Sequence, residues 1–279
     1  MNFCQATKIM ENNETRLILD KSVFFGTTTE KLCQFASNHF LILPEVLIYE
    51  CATAPTKKER QSSLIRFTET IRAGAYVCPS VGLIEERETQ QGRPYDNIED
   101  ETETNIIRGA SGIEWAEQRA QQAKGNEMQR TKRILEWANN VTGLKDSISQ
   151  LESIKQYAKA AKIKTQKDKQ YLYQNYLQAI DCCLFVIKPV ITKDWVSWHY
   201  KRLTLLYVLF IGDRKGTSME NVEHHLQDMA YITLLCRGDG LLIADNDPTL
   251  LTRTAFPQKD IFDSVDLVPK KYGCNQSRC

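Results

Sequence analysis

The stretch Arg16-Leu17-Ile18-Leu19-Asp20-Lys21-Ser22-Val23-Phe24-Phe25, followed by Gly26-Thr27-Thr28-Thr29, decides how this chain reads. A short apolar run bounded by turn residues predicts a buried strand, and the threonines beyond it can cap a helix over 30–38. The strand closes on an acid, Asp20. Phe40-Leu41-Ile42-Leu43 is a second such run, and Pro44 stands at the first turn of a further helix over 45–54. Strand, helix, strand and helix in quick succession predict an α/β fold with a mostly parallel sheet. Far along the chain the pattern returns. A helix over 221–236 is broken by Gly238-Asp239-Gly240, where Asp239 reads as a turn residue, and Leu241-Leu242-Ile243-Ala244 forms a third buried strand. It too ends in acids, Asp245-Asn246-Asp247. Ligands of open α/β sheets bind beyond the carboxyl ends of the strands, so Asp20 and Asp245 meet on one rim if their strands are parallel neighbours.

The segments between these ends have a different character. Residues 56–73 carry Leu64, Ile65, Phe67 and Ile71 on a charged background, which predicts an amphipathic helix. A short strand is expected over 75–78. The stretch 85–112, rich in acids, Gly and Pro around Asp96-Asn97-Ile98-Glu99-Asp100-Glu101-Thr102-Glu103, reads as a mobile loop. Helical periods follow over 113–137, 144–161, 167–187 and 195–210. The expected organisation is a discontinuous α/β domain from 1–55 and 220–270, a mainly α-helical insertion over 56–219, and a flexible tail at 271–279.

Composition excludes several classes. With 279 residues, 42% hydrophobic and 25% charged, the chain can bury a core and is too apolar to be disordered. Lysine plus arginine number 36 against 35 acids, a formal charge of +1, so any nucleic-acid contact must come from local patches. The nine cysteines lack paired CxxC spacing, which leaves zinc and redox motifs unsupported. Cys182 and Cys183 lie in an apolar run and read as buried thiols in a reducing compartment. The N-terminal residues lack a signal-peptide core, and the greasiest runs fall short of the roughly 18 residues of a membrane span. The expected location is cytoplasmic, with no membrane partner. No GxxxxGK[ST] phosphate loop is present.

The ends of the chain resemble a PIN-domain nuclease, a fold of metal-dependent ribonucleases and of toxins in toxin–antitoxin pairs. Leu17-Ile18-Leu19-Asp20-Lys21-Ser22 is similar to that family's opening strand, closed by Asp-x-Ser or Asp-x-Asn. Leu43-Pro44-Glu45-Val46-Leu47-Ile48-Tyr49-Glu50 is similar to its second motif, in which a proline starts a helix and a glutamate faces the metal. Gln227-Asp228-Met229-Ala230 and Gly238 through Asp247 resemble the third and fourth. The resemblance covers 16–54 and 220–268 and implies a three-layer α/β/α PIN-like fold carrying a large α-helical insertion. It also implies hydrolysis of phosphodiester bonds, in RNA first of all, with an antitoxin or sister subunit, or a second copy of the chain in a homodimer, as partner. The family often has Ser or Thr two positions before the last aspartate, where this chain has Ile243.

Chemistry gives an independent reason for these residue types. Phosphodiester hydrolysis needs activated water and neutralised oxygen charge, both supplied by Mg²⁺ or Mn²⁺. Such hard cations take carboxylate oxygen in preference to His or Cys. The catalytic and metal-binding candidates are therefore Asp20, Glu50, Asp228 and Asp245. Glu50 either touches metal or orients water, and Asp247 supports the metal site. Ser22 is a candidate for substrate contact.

Each assignment has a plainer rival. Asp20 could cap the turn after its strand, Glu50 could be a solvated helix residue, and Asp245 and Asp247 could be ordinary turn residues before Pro248. Lys155, Lys159 and Lys162 belong to a basic stretch with Lys164, Lys167 and Lys169, interleaved with Tyr157 and followed by Tyr171, Tyr173 and Tyr176. They could follow phosphates while tyrosines stack on bases, or form a solvated helix face over core aromatics. His224 and His225 lie one turn before Asp228 and could reach the site or sit at an exposed helix start. Ile243 motivates a second reading of the whole chain, a catalytically weak or inactive PIN-like interaction protein acting through its helical insertion. A phosphatase of the haloacid-dehalogenase type needs a second acid two positions after the first, and Ser22 stands there.

Overall fold

The computed structural model describes residues 15–110 except 97, scattered positions between 115 and 136, and residues 165–187, 191–210 and 219–272. Five strands, β1 Arg16–Leu19, β2 Phe40–Pro44, β3 Tyr76–Cys78, β4 Gly240–Leu242 and β5 Asp260–Phe262, form one sheet in the order β3-β2-β1-β4-β5. Every pairing is parallel, with Leu17 opposite Leu41 on one side and Gly240 on the other. Leu17, Ile18, Leu19, Leu41, Ile42 and Leu43 are each 0% exposed, so the central strands are covered on both faces. That explains why they read as continuous apolar runs rather than alternating ones, and it is consistent with three α/β/α layers.

Ten helices are described: α1 Lys21–Gly26, α2 Thr29–Asn38, α3 Glu45–Ala52, α4 Lys57–Arg72, α5 Val81–Gln91, α6 Glu101–Gly109, α7 Gln166–Ile187, α8 Val196–Phe210, α9 Met219–Leu234 and α10 Asn246–Ala255. Their starts follow local chemistry. Thr28 caps α2 through Lys31 N, and Thr56 with Glu59 forms a reciprocal capping box on α4. Pro44, expected in the first turn of α3, instead ends β2 and precedes the helix with extended backbone, and α3 starts at Glu45. Among the described residues no helix is long and apolar enough to cross a membrane.

Three sequence readings are corrected. The stretch 85–112 is not a loop: it holds most of α5 and all of α6. The acid run read as part of a mobile loop ends in the start of α6, where Asp100 accepts from Glu103 N and Glu101 and Glu103 occupy the first turn, favourable against the helix dipole. Secondly, the sheet draws on the segment 56–219, because β3 pairs with β2 and α6 covers its open edge. Val77 N donates to Thr104 Oγ1 at 3.0 Å and Asp100 N donates to Val77 O at 2.8 Å. Thirdly, Cys182 is exposed. The buried stripe of α7 runs through Tyr173, Tyr176, Leu177, Ile180 and Leu184, and Cys182 falls on the opposite face of that period.

The later helices are tied to the earlier ones by a buried acid. Glu88 of α5, 0% exposed, accepts from the backbone N–H groups of Val196 and Ser197 at 2.9 Å each and from Tyr95 N at 3.1 Å. It thereby satisfies orphan donors at the first turn of α8, far away in sequence.

Candidate functional site

β1 leads through α1 and α2 to β2 on one side, whereas its other neighbour, β4, is followed by α10 and β5 on the opposite side. The boundary between β1 and β4 is therefore a topological switch point, and the crevice beyond the carboxyl ends of those strands is the natural ligand position. Asp20 and Asp245 both lie there.

Asp20 is 1% exposed and begins α1. Its Oδ1 accepts from Ser22 N at 2.8 Å and from Ser22 Oγ at 2.6 Å, while Oδ2 takes no hydrogen bond among the described residues. The Ser22 hydroxyl accepts in turn from Ala244 N at 2.9 Å, and Asp20 N donates to Leu242 O at 2.9 Å. These bonds lock the ends of β1 and β4 together. Ser22 is thus a bracket for Asp20 and for the backbone before Asp245. Burial pushes the Asp20 carboxyl up to about 6; the Ser22 bonds oppose this, Asp228 adds repulsion and Lys21 lowers it.

Glu50 on α3 and Asp228 on α9 reach the same place from two helices. They converge on Lys21, whose Nζ lies 3.0 Å from Glu50 Oε1 and 3.1 Å from Asp228 Oδ1. Burial works against the Lys21 charge, but the two carboxylates outweigh it and hold the ammonium above its ordinary range. Glu50 is pushed up to about 7, by burial first, against Lys21 and a hydrogen bond from Tyr231 OH to Oε2. Asp228 is also raised by burial, partly countered by Lys21, and Asp245 adds repulsion to it. The mutual repulsion of Asp20 with Asp228, Asp20 with Glu50, and Asp228 with Asp245 makes one electrostatic cluster of the four predicted acids.

Asp245 is exposed and stands before α10 with no side-chain capping bond, leaving its carboxylate open. Asp247 is also exposed and turns aside to Lys169 Nζ at 3.2 Å. That pair takes Asp247 out of the cluster and Lys169 out of any free basic face. Lys155, Lys159 and Lys162 lie outside the described residues. Tyr173 and Tyr176 are core residues and Tyr171 is exposed. His225 Nδ1 lies 3.9 Å from Asp228 Oδ2, whereas His224 is exposed at the helix surface. Asp239 does more than turn the chain, since its Oδ2 accepts from Arg16 N at 2.8 Å and fixes the start of β1.

Sequence reasoning missed two members. Lys21 was visible only as the neighbour of Asp20, and nothing local says that its partners come from α3 and α9. Tyr231 lies three residues after Asp228, a spacing that puts both on one helix face and could have signalled it.

No family model, no curated protein and no solved structure matches this chain. Chemical function must therefore be argued from the site. The donors suit a hard divalent cation: all are carboxylates, one Asp20 oxygen is open, and Asp245 is unengaged. As they stand, no three Asp, Glu, His or Cys side chains among the described residues are drawn together closely enough to hold one ion. Lys21 lies between two of the acids instead.

Proposed function

We propose that the chain is a PIN-like, metal-dependent nuclease that hydrolyses phosphodiester bonds in single-stranded RNA. One observation carries the reading: carboxylates from the sheet and from two helices gather at the switch point of a parallel sheet, where burial and repulsion make them costly to ionise. Such a cluster is relieved by added positive charge. Asp20, Asp228 and Asp245 are the residues that would hold Mg²⁺ or Mn²⁺. Bound there, the ion would lower the pKa of water and neutralise charge on the phosphate. Glu50, engaged by Tyr231 and Lys21, is a positioning residue, and Lys21 supplies a fixed positive charge beside the acids, so that one divalent ion suffices. Ser22 keeps Asp20 aimed and aligns the chain before Asp245.

Cleavage of a labelled single-stranded RNA is expected with Mg²⁺ or Mn²⁺ and is lost in Asp20→Asn, whose fold is kept because the Ser22 contacts remain available. Absence of cleavage of any RNA or single-stranded DNA, together with no metal binding, would sink the proposal. The second reading, an inactive interaction protein, draws on the Lys21 bridge: an ammonium already paired with two of the acids could serve as the site's lasting counter-ion. It predicts that the wild-type protein takes up no Mn²⁺ and cleaves no RNA, and that Mn²⁺ binds only after Lys21→Met.

A further inference from the structure

Beside the turn that carries Asp245 lies a cavity of about 310 Å³, at the lower end of ligand-pocket sizes. It opens between one face of α10 and the carboxyl ends of β4 and β5. Ala244 and Asn246 line it, so Asp245 is joined on both sides to its wall. Asn246, Thr249, Leu250 and Arg253 follow at helical spacing along α10, which turns an entire face of that helix toward the cavity. The opposite wall is Phe262 and Asp263 at the end of β5, with Leu267 beyond them, 60% exposed. The turn Val265–Leu267 is held in place by an ion pair from Asp266 to Lys31 of α2.

The lining mixes apolar walls with polar groups that have nothing to bind. Arg253 and Asp263 form no hydrogen bond or ion pair among the described residues, not even with each other, and the Asn246 amide is equally unengaged. A carboxylate accepts, a guanidinium donates and an amide does both, beside an aromatic ring and aliphatic side chains. That is the complement of a flat, partly apolar ring whose edge carries both donors and acceptors.

We propose that this cavity is a nucleobase subsite, receiving the unstacked base of the nucleotide beside the scissile phosphate, with guanine preferred. Arg253 would donate to guanine O6 and N7, Asp263 would accept from its N1–H and N2–H₂ edge, and Phe262 and Leu267 would cover its faces. A base can enter only when unstacked, so the subsite selects single strands over duplex. The inference rests on the nuclease reading for the position of the phosphate, but base binding itself needs no metal.

The test uses the full chain in EDTA, titrated with four RNA tetranucleotides that differ in one central base, and read by fluorescence anisotropy. The guanine oligonucleotide is expected to bind roughly tenfold more tightly than the others. Asp263→Asn should remove that preference, and Arg253→Ala should weaken the guanine oligonucleotide by a similar factor. Both side chains are exposed, so the variants should fold, which circular dichroism checks. Equal binding of all four oligonucleotides, or binding that neither variant alters, would overturn the subsite. Because no metal is present, this result is separate from the cleavage test: cleavage with no base preference removes the subsite and leaves the nuclease, and base preference without metal binding does the reverse.

Discussion

Replacing Lys21 by Met removes the only cation that touches Glu50 and Asp228 at salt-bridge distance among the described residues, except for His225 at 3.9 Å from Asp228. Breaking a buried ion pair by deleting one partner costs about 3–5 kcal/mol, because the other charge stays buried without compensation. Here the Lys21 side chain is 24% exposed and those of Glu50 and Asp228 only 7% and 13%. The lower end of that range, about 3 kcal/mol, is therefore expected at pH 8, where both acids must ionise. At pH 5.5 the loss should shrink. Glu50 sits at about 7 even with Lys21 beside it, Asp228 is raised as well, and without the ammonium both climb further. Glu50 then carries a proton, and its contact with Lys21 is lost only as a neutral hydrogen bond, about 1 kcal/mol. The assay is urea unfolding of metal-free wild type and variant at the two pH values, followed by far-ultraviolet circular dichroism. An equal loss at pH 5.5 and pH 8, or no loss at pH 8, would refute the view that Lys21 acts as counter-ion to the buried acids.

Further predictions concern the same acids and the frame around them. In the metal-free wild type the folded-state values of Asp20, about 6, and Glu50, about 7, lie above their ordinary 3.8 and 4.5, so the folded state holds more protons than the unfolded one between these limits. Their contribution to stability is full below the ordinary values and is lost as pH rises through 6 and 7; the urea midpoint in EDTA should fall from pH 5 to pH 7.5, and a rise would contradict the assignment. Ser22→Ala loses the bond to the buried Asp20 Oδ1 and releases Ala244 N to water, at a cost of about 1 kcal/mol measured by the same unfolding. Glu88→Ala leaves three backbone donors, Tyr95, Val196 and Ser197, without their buried acceptor. It should cost at least about 3 kcal/mol and lower the melting temperature by several degrees; an unchanged melting temperature would argue that α8 does not depend on this cap.

How much of this was legible in the sequence depends on whether the deciding contacts are local. The buried runs of β1, β2 and β4 were readable because both faces are covered, which leaves no polar alternation to interpret. β5 was not, since three residues with an exposed Asp260 carry too little apolar pattern to separate a strand from a turn. The start of α10 hid for a similar reason: Asp245-Asn246-Asp247-Pro248 is turn chemistry and helix-start chemistry at once. In 96–103 the acids read as a mobile loop, because neither the helix start at Asp100 nor the distant partner of Glu99, Arg16, is visible locally. Asp20, Glu50, Asp228 and Asp245 were proposed from order and spacing, and they act on one another electrostatically, although among the described residues no three of them close on one point. The Lys21 bridge could not be read, because an ion pair assembled from α1, α3 and α9 exists only once the sheet has brought their ends together. Asp247, on the first turn of α10, pairs with Lys169, a contact between distant segments that its place in the sequence does not reveal.

The most direct test of the central claim is a crystal of the protein grown at pH 7.5 and soaked in Mn²⁺, examined by anomalous scattering. One strong peak is expected, bonded to the carboxylates of Asp20 and Asp228 and facing Asp245, with Glu50 still held by Tyr231, and it is lost in Asp20→Asn. No peak among these acids, or a peak of equal strength in Asp20→Asn, would contradict the claim.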